Sequence, residues 1–383
     1  MRIAVIGLGV LGAGTARALA RAGADVTVFE RTAPGAGTTG TSYGWINAHR
    51  KQPRSYHELN VAGMAEHAAL WEPGCAWYVR SGLLEWAVDE AAKQRLETNI
   101  DQLRDYGYPV ERINRERASE LAPDVLIPPE VTDPAWYPGE GYALPAALLA
   151  RLWGEARDHG AELRCPAEVT AVEPVGHGAR VHSADSEPEH FDRVVLAVGR
   201  WTGELTKALT PTIPMLGPED PATPGLLAHT APLAARVPLP VITPEVNIRP
   251  DGGGRLLLAA LDLNARNEIG ERAELDKAFA DEVLRRLRTL VRGGEYAQVE
   301  RVDLGLRSLP ADGHTVAGFD AGGQIYILAT HSGITLGPLL GRLAAQEILH
   351  DQRVPLLRDF RPERFTGADE LAPVAPARHA GEQ

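Results

Sequence analysis

Three glycines at the beginning of the sequence have the spacing of a phosphate-binding turn. Gly7, Gly9 and Gly12 form the pattern G-x-G-x-x-G. In such a turn the first glycine permits a tight bend, the second lets the backbone approach a pyrophosphate, and the third lets the helix pack closely on the preceding strand. A predicted strand at residues 3–6 precedes the pattern, and a predicted helix at about 12–22 follows it. We therefore expect a β-α-β unit whose helix N-terminus faces a dinucleotide.

Two charged residues at the end of the next strand narrow the choice of dinucleotide. Glu30 ends the predicted strand 26–30, eighteen residues after Gly12. A carboxylate at this place can accept hydrogen bonds from both hydroxyls of a ribose. Glu30 would repel a 2′-phosphate, although the adjacent Arg31 softens that argument. The pattern does not choose between NAD and FAD.

Four separated segments of the sequence carry a recognisable pattern. They are the glycine turn with Ala16 and Glu30; Gly40-Thr41-Ser42-Tyr43-Gly44-Trp45-Ile46-Asn47-Ala48-His49; Val194-Val195-Leu196-Ala197-Val198-Gly199-Arg200-Trp201; and Gly305-Leu306-Arg307 with Asp312-Gly313 and Thr330-His331-Ser332-Gly333-Ile334-Thr335-Leu336-Gly337. In this order they resemble the D-amino-acid oxidase superfamily of flavoproteins, which includes glycine oxidase, sarcosine oxidase and D-amino-acid dehydrogenases. The resemblance covers most of residues 1–365. Where the family has Arg-Pro and D-G-x-P, this chain has Arg307-Ser308 and Asp312-Gly313-His314-Thr315. These departures concern the substrate pocket more than the flavin fold.

The resemblance implies an α/β fold and FAD as the cofactor. We expect a Rossmann-like FAD-binding domain at residues 1–50, 140–210 and 300–365. A second, α+β substrate domain at 51–139 and 211–299 is expected to be built on a mixed or antiparallel sheet. Residues 366–383 are expected to be a disordered tail.

The resemblance also assigns residues to the cofactor site. They lie in the glycine turn (residues 7–12), at the acidic strand end (30–31), in the small-residue loop (40–44), at the second strand end (197–201) and in the C-terminal flavin loop (330–337), with Val169 and Gly305 in addition. The residues are Gly7, Gly9, Leu11, Gly12, Glu30, Arg31, Thr41, Ser42, Val169, Ala197, Gly199, Trp201, Gly305, Ser332, Gly333, Ile334 and Thr335. A helix from Gly337 to about Leu349 is expected to direct its N-terminus towards the flavin.

Four residues are candidates for contact with the substrate or the flavin ring. In the family, the arginine that matches Arg307 binds the substrate carboxylate, and a planar guanidinium suits bidentate binding of a carboxylate; the alternative is a structural ion pair. Trp45, Asn47 and His49 follow the small-residue loop and are expected near the flavin ring. Trp45 is alternatively a core residue, and His49 is alternatively the site of a covalent flavin link.

The expected reaction is oxidation of the C–N bond of an amino acid or related amine by hydride transfer to flavin N5. The lone pair of a neutral amine stabilises the resulting imine, so no protein acid or base is strictly required. The alternatives are oxidation of a biosynthetic intermediate that lacks a free carboxylate, and a flavin-binding protein without enzymatic activity. The electron acceptor, dioxygen or another molecule, stays open, because none of the four lysines (Lys51, Lys93, Lys207 and Lys277) can be placed over the flavin from the sequence.

The composition argues against nucleic-acid binding, disulfide-rich and membrane-spanning classes of protein. The chain has 383 residues and a formal net charge of −12, which argues against nucleic acid as a partner. Two cysteines cannot form a disulfide framework or a multi-cysteine metal site, and no metal site is expected. We expect a cytoplasmic protein without a membrane-spanning segment.

Overall fold

The computed structural model of the chain describes residues 1–184, 186–264, 272–367 and 374. The expectation of a disordered tail at 366–383 falls almost entirely outside these residues. Within the described part, no helix has the length and the apolar character needed to cross a bilayer.

The helices alternate with strands along the chain. They are α1 Val10–Arg21, α2 Arg54–Leu70, α3 Glu90–Asp105, α4 Arg115–Leu121, α5 Pro145–Asp158, α6 Thr202–Leu205, α7 Leu261–Asn264, α8 Arg272–Leu290 and α9 Gly333–His350, with 3-10 helices at Gly199–Trp201, Gly294–Tyr296, Pro355–Phe360 and Pro362–Phe365.

The strands are β1 Arg2–Ile6, β2 Asp25–Phe29, β3 Trp45–Ile46, β4 Tyr78–Val79, β5 Leu84–Glu85, β6 Glu111–Arg112, β7 Ala135–Trp136, β8 Gly141–Ala143, β9 Glu162–Arg164, β10 Val169–Val175, β11 Gly178–Ser183, β12 Ser186–Phe191, β13 Arg193–Leu196, β14 Pro224–Thr230, β15 Val241–Ile242, β16 Asn247–Pro250, β17 Leu256–Ala259, β18 Val299–Leu306, β19 Val316–Phe319 and β20 Ile325–Ala329. The strands β3 to β9 and β15 have two or three residues each, and the other strands have four to eight.

The first large sheet is parallel except at one edge. Its order is β19-β20-β13-β1-β2-β9, and β19 is antiparallel to β20. The central strand β1 is buried from Ile3 to Ile6, because helices that include α1 and α9 cover one face of the sheet and the three-stranded sheet β10-β11-β12 covers the other. In register, Val5 lies beside Val28 of β2 and Val195 of β13. The carboxyl ends of β1, β2 and β13 therefore meet at the same edge.

Helices α1 and α9 pack on this sheet in close contact with each other. A Cβ added to Gly14 of α1 would lie 2.6 Å from the Gly337 carbonyl oxygen of α9, and a Cβ added to Gly341 would lie 2.2 Å from the Gly14 carbonyl carbon. Only glycine allows two helix backbones to approach so closely at these positions. The contact places the N-terminal turns of the two helices side by side.

The second large sheet is mixed and mainly antiparallel. Its order is β18-β14-β17-β16-β15-β5-β7-β6, and β15 is parallel to β5. Helix α8 packs against it, with Phe279, Val283 and Leu287 in a core shared with Leu226 and Leu258. The α/β fold class and the mixed or antiparallel second sheet expected from the sequence are confirmed.

The strand β18 and the helix α2 each pack in the other domain from the one in which the sequence placed them. The strand β18 pairs with β14 in the second sheet, although residues from 300 onward are expected in the FAD-binding domain. Helix α2 packs on α9, and Tyr56 and Leu59 belong to the core of the first sheet, although residues 51–139 are expected in the substrate domain. The reason is that Gly63 of α2 approaches the Thr335 carbonyl, a contact that sequence order does not reveal.

Candidate active site

A cavity of about 580 Å³, here called the dinucleotide cavity, opens at the carboxyl ends of the parallel strands. Its walls come from the residues directly after β1, β2, β13 and β20: Gly7 and Gly9, Glu30 and Arg31, Ala197 and Gly199, and Thr330 and His331. Ligands of open α/β sheets bind in this crevice outside the carboxyl strand ends. The strand order therefore explains why separated segments of the sequence meet around one cavity.

The glycine turn has no room for side chains. Gly7 has φ +96°, and a Cβ there would lie 2.6 Å from the Ala197 carbonyl oxygen. A Cβ on Gly12 would lie 1.9 Å from the Gly7 carbonyl oxygen. Gly12 therefore holds α1 against β1 and does not line the cavity, whereas Gly7 and Gly9 do.

The first turn of α1 suits an anion. Gly9 is the N-cap and offers no side chain, and the Val10 N–H donates to Thr39 Oγ1 at 3.1 Å. The other N–H groups of a first helical turn have no acceptor inside the helix, and they carry the positive end of the helix dipole. A pyrophosphate at this place would receive these hydrogen bonds.

Glu30 is held in position by the backbone. Its Oε2 accepts the Leu8 N–H at 2.9 Å, and its Oε1 accepts the Thr32 N–H at 3.0 Å. Each carboxylate oxygen keeps a lone pair that a ribose hydroxyl can use. The adjacent Arg31 stacks over the Trp201 ring, with its guanidinium carbon 4.2 Å from the ring centre, and pairs with Glu168 at 3.6 Å.

The helix α9, which follows the C-terminal flavin loop, does not begin where the sequence predicted. Helix α9 begins at Gly333, four residues before the expected Gly337. Pro338 has no N–H to bond the Ile334 carbonyl, and the imidazole of His67 occupies that acceptor at 2.8 Å from Nε2. Burial lowers the pKa of His67 to about 4, so the imidazole is neutral and its Nε2–H can donate. A proline inside α9 is thereby tolerated, and the helix N-terminus reaches the cavity.

Two unpaired polar atoms in the wall of the dinucleotide cavity indicate a bound ligand, independently of the glycine motif. In the described part of the chain, Ser308 Oγ and His331 Nδ1 are buried and have no hydrogen-bond partner, and both residues line the dinucleotide cavity. Buried polar atoms are normally paired, so a ligand that pairs them is expected here.

A smaller cavity of about 200 Å³, here called the second cavity, is continuous with the dinucleotide cavity. The two share Thr38, Ser42, His331 and Ile334 in their walls. The second sheet supplies the opposite wall. Among the described residues that line the second cavity, none is acidic.

Arg307 lies in the wall of the second cavity, directly after β18. Its Nη1 donates to the carbonyl oxygens of Ala222 at 2.8 Å and Pro224 at 3.4 Å. No carboxylate of the described chain pairs with Arg307. The geometry therefore does not support the alternative that Arg307 forms a structural ion pair. Burial lowers the pKa of Arg307, but a guanidinium keeps its charge in proteins. The cavity therefore contains a cation whose protein partners are carbonyl groups.

Three further polar atoms in the second cavity are buried and, within the described residues, have no hydrogen-bond partner. They are Tyr43 Oη, Asn47 Nδ2 and His331 Nδ1. Burial raises the pKa of Tyr43, so its hydroxyl stays protonated and can donate. Burial, and then the charges of Arg307 and Lys51, lower the pKa of His331 well below its usual value. His331 is thus a neutral imidazole, suited to a hydrogen bond with a polar ligand.

His49 lies in neither cavity. It is fully buried, its Nδ1 lies 2.9 Å from Glu140 Oε1, and its ring stacks on Tyr137 at 4.5 Å. Glu140 also accepts hydrogen bonds from Trp45 Nε1 at 3.0 Å and from the Tyr108 hydroxyl at 2.8 Å. Direct contact of His49 with substrate or flavin is therefore not supported by its position. Its imidazole belongs to a polar cluster behind Trp45, which does line the second cavity.

Lys51 lines the second cavity. The sequence alone could not place any of the four lysines at the site. It is 4% exposed, and burial lowers its pKa to about 7, although the charge of Glu140 partly opposes this. Arg50, which precedes it, has φ +57°, an uncommon value outside glycine. This bend lets Arg50 pair with Glu85 while Lys51 reaches the cavity.

Most of the residues assigned from the sequence are brought together. The dinucleotide cavity is lined by Gly7, Gly9, Leu11, Glu30, Arg31, Ser42, Val169, Ala197, Gly199, Trp201, Gly333 and Ile334. The second cavity is lined by Thr41, Ser42, Trp45, Asn47, Gly305, Arg307, Ser332, Ile334 and Thr335. Their individual roles stay predictions.

Sequence reasoning missed several polar residues of these walls: Tyr43, Lys51, Asn247, Asn264 and Ser308. Tyr43 and Lys51 flank the small-residue loop, and Ser308 follows Arg307, so proximity was a usable signal for these three. Asn247 and Asn264 carried no signal, because only the folded second sheet, with β16 and the helix α7 that contacts β14, brings them to the cavity. No group of His, Cys, Asp or Glu residues suited to a metal ion occurs in the described ranges.

A family model described as FAD dependent oxidoreductase matches residues 2–347. The chain belongs to this family. It is an FAD-dependent oxidoreductase, and the resemblance to the D-amino-acid oxidase superfamily is confirmed.

Relatives of this FAD-dependent oxidoreductase differ in the reactions that their names describe. A glycine oxidase of Geobacillus kaustophilus is 25% identical over 403 aligned residues, which cover 99% of this chain and 97% of that protein. The structure of glycine oxidase from the same organism matches with a TM-score of 0.81 at 22% identity, over 95% of this chain and 99% of that one. Subunit A1 of an anaerobic glycerol-3-phosphate dehydrogenase of Haloferax volcanii is 28% identical over 222 residues. That match covers 53% of this chain and 37% of the subunit.

Proposed function

We propose that this FAD-dependent oxidoreductase oxidises the C–N bond of an amino acid or a related amine that carries a carboxylate. The observation that carries the proposal is Arg307, a cation in the wall of the second cavity whose partners in the described chain are carbonyl oxygens. A carboxylate is the ligand that a guanidinium binds most specifically. The full-length similarity to a glycine oxidase supports an amino acid as the substrate class.

FAD, when bound, supplies the two-electron acceptor for such an oxidation. Its adenosine and pyrophosphate would be held by Glu30, by the Gly7–Gly9 turn and by the first turn of α1. The donors of the second cavity then have the task of orienting the substrate. Arg307 would bind the carboxylate, and Tyr43 and Asn47 can donate hydrogen bonds to it.

The charge of the second cavity favours a neutral amine. Arg307 lines it as a cation, Lys51 is partly protonated near neutral pH because its pKa is lowered to about 7, and nearby positive charge disfavours a cationic amine. A bound amine in this cavity is therefore expected to have a lowered pKa. Only the neutral amine has the lone pair that stabilises an imine, so the cations prepare the reactive form without a carboxylate base.

The apolar part of the wall keeps water away from the reacting carbon. Leu226, Leu227, Leu309 and Ile334 line the second cavity beside the polar groups. Removing water strengthens the interaction of Arg307 with a carboxylate, because the effective dielectric constant falls.

The experiment is anaerobic mixing of the FAD-loaded enzyme with amino acids and with their neutral amides. Loss of the oxidised flavin's visible absorbance reports turnover of one equivalent. We expect amino acids to reduce the flavin and the amides to do so far more slowly. Equal rates for an acid and its amide would move the substrate class to amines without a free carboxylate. Reduction by no amine at all would reject the proposal.

The electron acceptor and the cellular location stay predictions. Oxygen consumption after flavin reduction decides between dioxygen and another acceptor. Fractionation of the source cells tests the expected cytoplasmic location.

A further inference from the structure

Two glycines face each other across neighbouring strands in the wall of the second cavity. Gly225 of β14 is paired in register with Gly305 of β18, and both residues line the cavity. Residues directly opposite each other in an antiparallel pair point to the same face of the sheet. Two positions that could direct side chains into the cavity therefore carry none. We call this pair, Gly225 and Gly305, the glycine floor.

Two side-chain nitrogens border the glycine floor. A Cβ placed on Gly225 would lie 3.4 Å from Arg307 Nη2 and 3.9 Å from Asn264 Nδ2. These distances are ordinary van der Waals contacts, and Gly225 is not among the glycines with positive φ, so the protein itself would accept an alanine here. The glycine leaves open a space in the cavity that both nitrogens reach.

The orientation of the Asn264 amide is fixed by the backbone. Its Oδ1 accepts the Leu226 N–H at 2.9 Å. Because an N–H donates only to an acceptor, this hydrogen bond identifies the oxygen of the amide, and Nδ2 is the other branch. Within the described residues no acceptor pairs with Nδ2. Asn264 therefore keeps its N–H donors for a ligand while its oxygen serves the fold.

The guanidinium of Arg307 is divided in the same way. Its Nη1 donates to the carbonyls of Ala222 and Pro224, whereas its Nη2 borders the glycine floor. An anion over this floor would meet one charged donor and one neutral donor. A carboxylate has two oxygens with two lone pairs each, so it can accept hydrogen bonds from both nitrogens at once.

We propose that Asn264 is a second binding residue for the substrate carboxylate, which it holds together with Arg307 over the glycine floor. The inference rests on the proposed function and specifies how the carboxylate is bound. Arg307 supplies the charge, and the Asn264 amide fixes the orientation that a single guanidinium nitrogen leaves free. Because the carboxylate is bonded directly to the α-carbon, this contact also sets the position of the carbon that is oxidised.

The test uses ligands that the flavin cannot oxidise, so that binding is measured without turnover. Methoxyacetate has a carboxylate and an ether oxygen in place of the amine, and methoxyacetamide is its neutral amide. Titration of each into the FAD-loaded enzyme gives the dissociation constants. Asn264→Ala should weaken methoxyacetate binding about 10- to 150-fold, the range for one hydrogen bond to a charged group. Methoxyacetamide should lose less, because a hydrogen bond between neutral groups contributes less.

Asn264→Asp separates the ligand contact from the backbone contact. It keeps an acceptor for the Leu226 N–H but replaces the Nδ2 donor by a negatively charged oxygen, so we expect even weaker methoxyacetate binding than in Asn264→Ala. Asn114→Asp is the matched control, because Asn114 Oδ1 also accepts a backbone N–H at 2.9 Å and Asn114 lines neither cavity. Its affinity should equal that of the wild type. Wild-type affinity in Asn264→Asp would leave Asn264 with a structural role only and overturn the inference, as would unchanged binding in Asn264→Ala.

Gly225→Ala tests the open space without removing a polar group. The added methyl group should weaken methoxyacetate binding roughly 5- to 140-fold, the effect of one excess methyl group in a packed space, while FAD stays bound. Unchanged affinity would place the carboxylate elsewhere and overturn the inference. If Asn264→Ala fails to fold, Asn264→Asp and Gly225→Ala still decide the matter.

Flavin reduction separates this inference from the proposed function. If amino acids reduce the flavin of the wild type and the Asn264 variants bind methoxyacetate as the wild type does, the second binding residue is rejected and the proposed function stands. If methoxyacetate binding depends on Asn264 but no amine reduces the flavin, the proposed function is rejected and the carboxylate site stands.

Discussion

Replacing Arg307 by leucine separates its two interactions. The first is with the protein, because its Nη1 donates to the Ala222 carbonyl at 2.8 Å and, over a longer distance of 3.4 Å, to the Pro224 carbonyl. Hydrogen bonds to charged groups contribute about 1.5–3 kcal/mol, so the variant should lose roughly that amount of unfolding free energy. The second interaction is with the substrate carboxylate. Removing one partner of a buried charge pair costs about 2–5 kcal/mol, or roughly 30- to 5000-fold in kcat/KM.

The assay is steady-state or anaerobic single-turnover kinetics with an amino acid and its neutral amide. Most of the loss for the amino acid should appear in KM, because the carboxylate is bound equally in ground and transition states. The amide should lose little. Arg301→Leu, in the strand β18 that precedes Arg307, is the matched control, because Arg301 is largely exposed and pairs with Asp303 at 3.0 Å. An equal loss for acid and amide would refute the carboxylate anchor and leave Arg307 with a structural role.

Four more measurements test individual residues. Glu30→Ala should weaken FAD binding about 10- to 150-fold in titrations of the apoprotein, the equivalent of about 1.5–3 kcal/mol; unchanged affinity would remove Glu30 from the ribose site. Acid precipitation should release FAD into the supernatant, because His49 lines neither cavity; a yellow pellet would contradict this. Gly14→Ala should lower the unfolding free energy by about 1–3 kcal/mol in denaturant titrations, because its Cβ would meet a carbonyl oxygen of α9 at 2.6 Å. Gly154→Ala in α5, where a Cβ meets nothing within 4 Å, is the control and should be neutral or stabilising. For Lys51, burial lowers the pKa from 10.5 to about 7, so the unfolded chain holds the extra proton between these values. The stability of the wild type relative to Lys51→Met should therefore rise as pH increases through that window, and a constant difference in paired unfolding experiments at neutral and alkaline pH would refute the buried position.

The elements with strong local signals were predicted well from the sequence. The strands expected at residues 3–6 and 26–30 are β1 Arg2–Ile6 and β2 Asp25–Phe29, and the helix expected at about 12–22 is α1 Val10–Arg21, so the bounds differ by one or two residues. A short apolar run that ends at a glycine predicts a buried strand, and apolar residues at helical spacing predict a helix, from the local sequence alone. The glycine turn belongs to the same class, because its pattern is local in sequence and Gly12 is required by a contact within the turn, with the Gly7 carbonyl oxygen.

Features that depend on distant contacts were predicted less well. The start of α9 was placed four residues too late, because the sequence does not show that His67 supplies the hydrogen bond that Pro338 cannot make. His49, which was expected near the flavin, lines neither cavity, whereas Lys51, two positions later, lines the second cavity. The positive φ of Arg50 between them turns the chain, and Glu140, more than 90 residues later, holds His49 away from the cavities.

The two cavities differ in how much of the chain must be folded correctly to form them. The dinucleotide cavity is built from residues directly after parallel strands, so its chemistry follows from motifs that each strand end carries. The second cavity combines Tyr43 and Lys51 beside one loop with Asn247 of β16 and Arg307 after β18. A match to a family model over residues 2–347 is therefore informative about the dinucleotide cavity, because the cofactor motifs lie within the matched residues. Under the proposed function, substrate choice depends on side chains that the second sheet brings to the second cavity, and these can differ between proteins that share the cofactor motifs. Such a division is consistent with the resemblance of this chain both to a glycine oxidase and, over about half of its length, to a glycerol-3-phosphate dehydrogenase subunit.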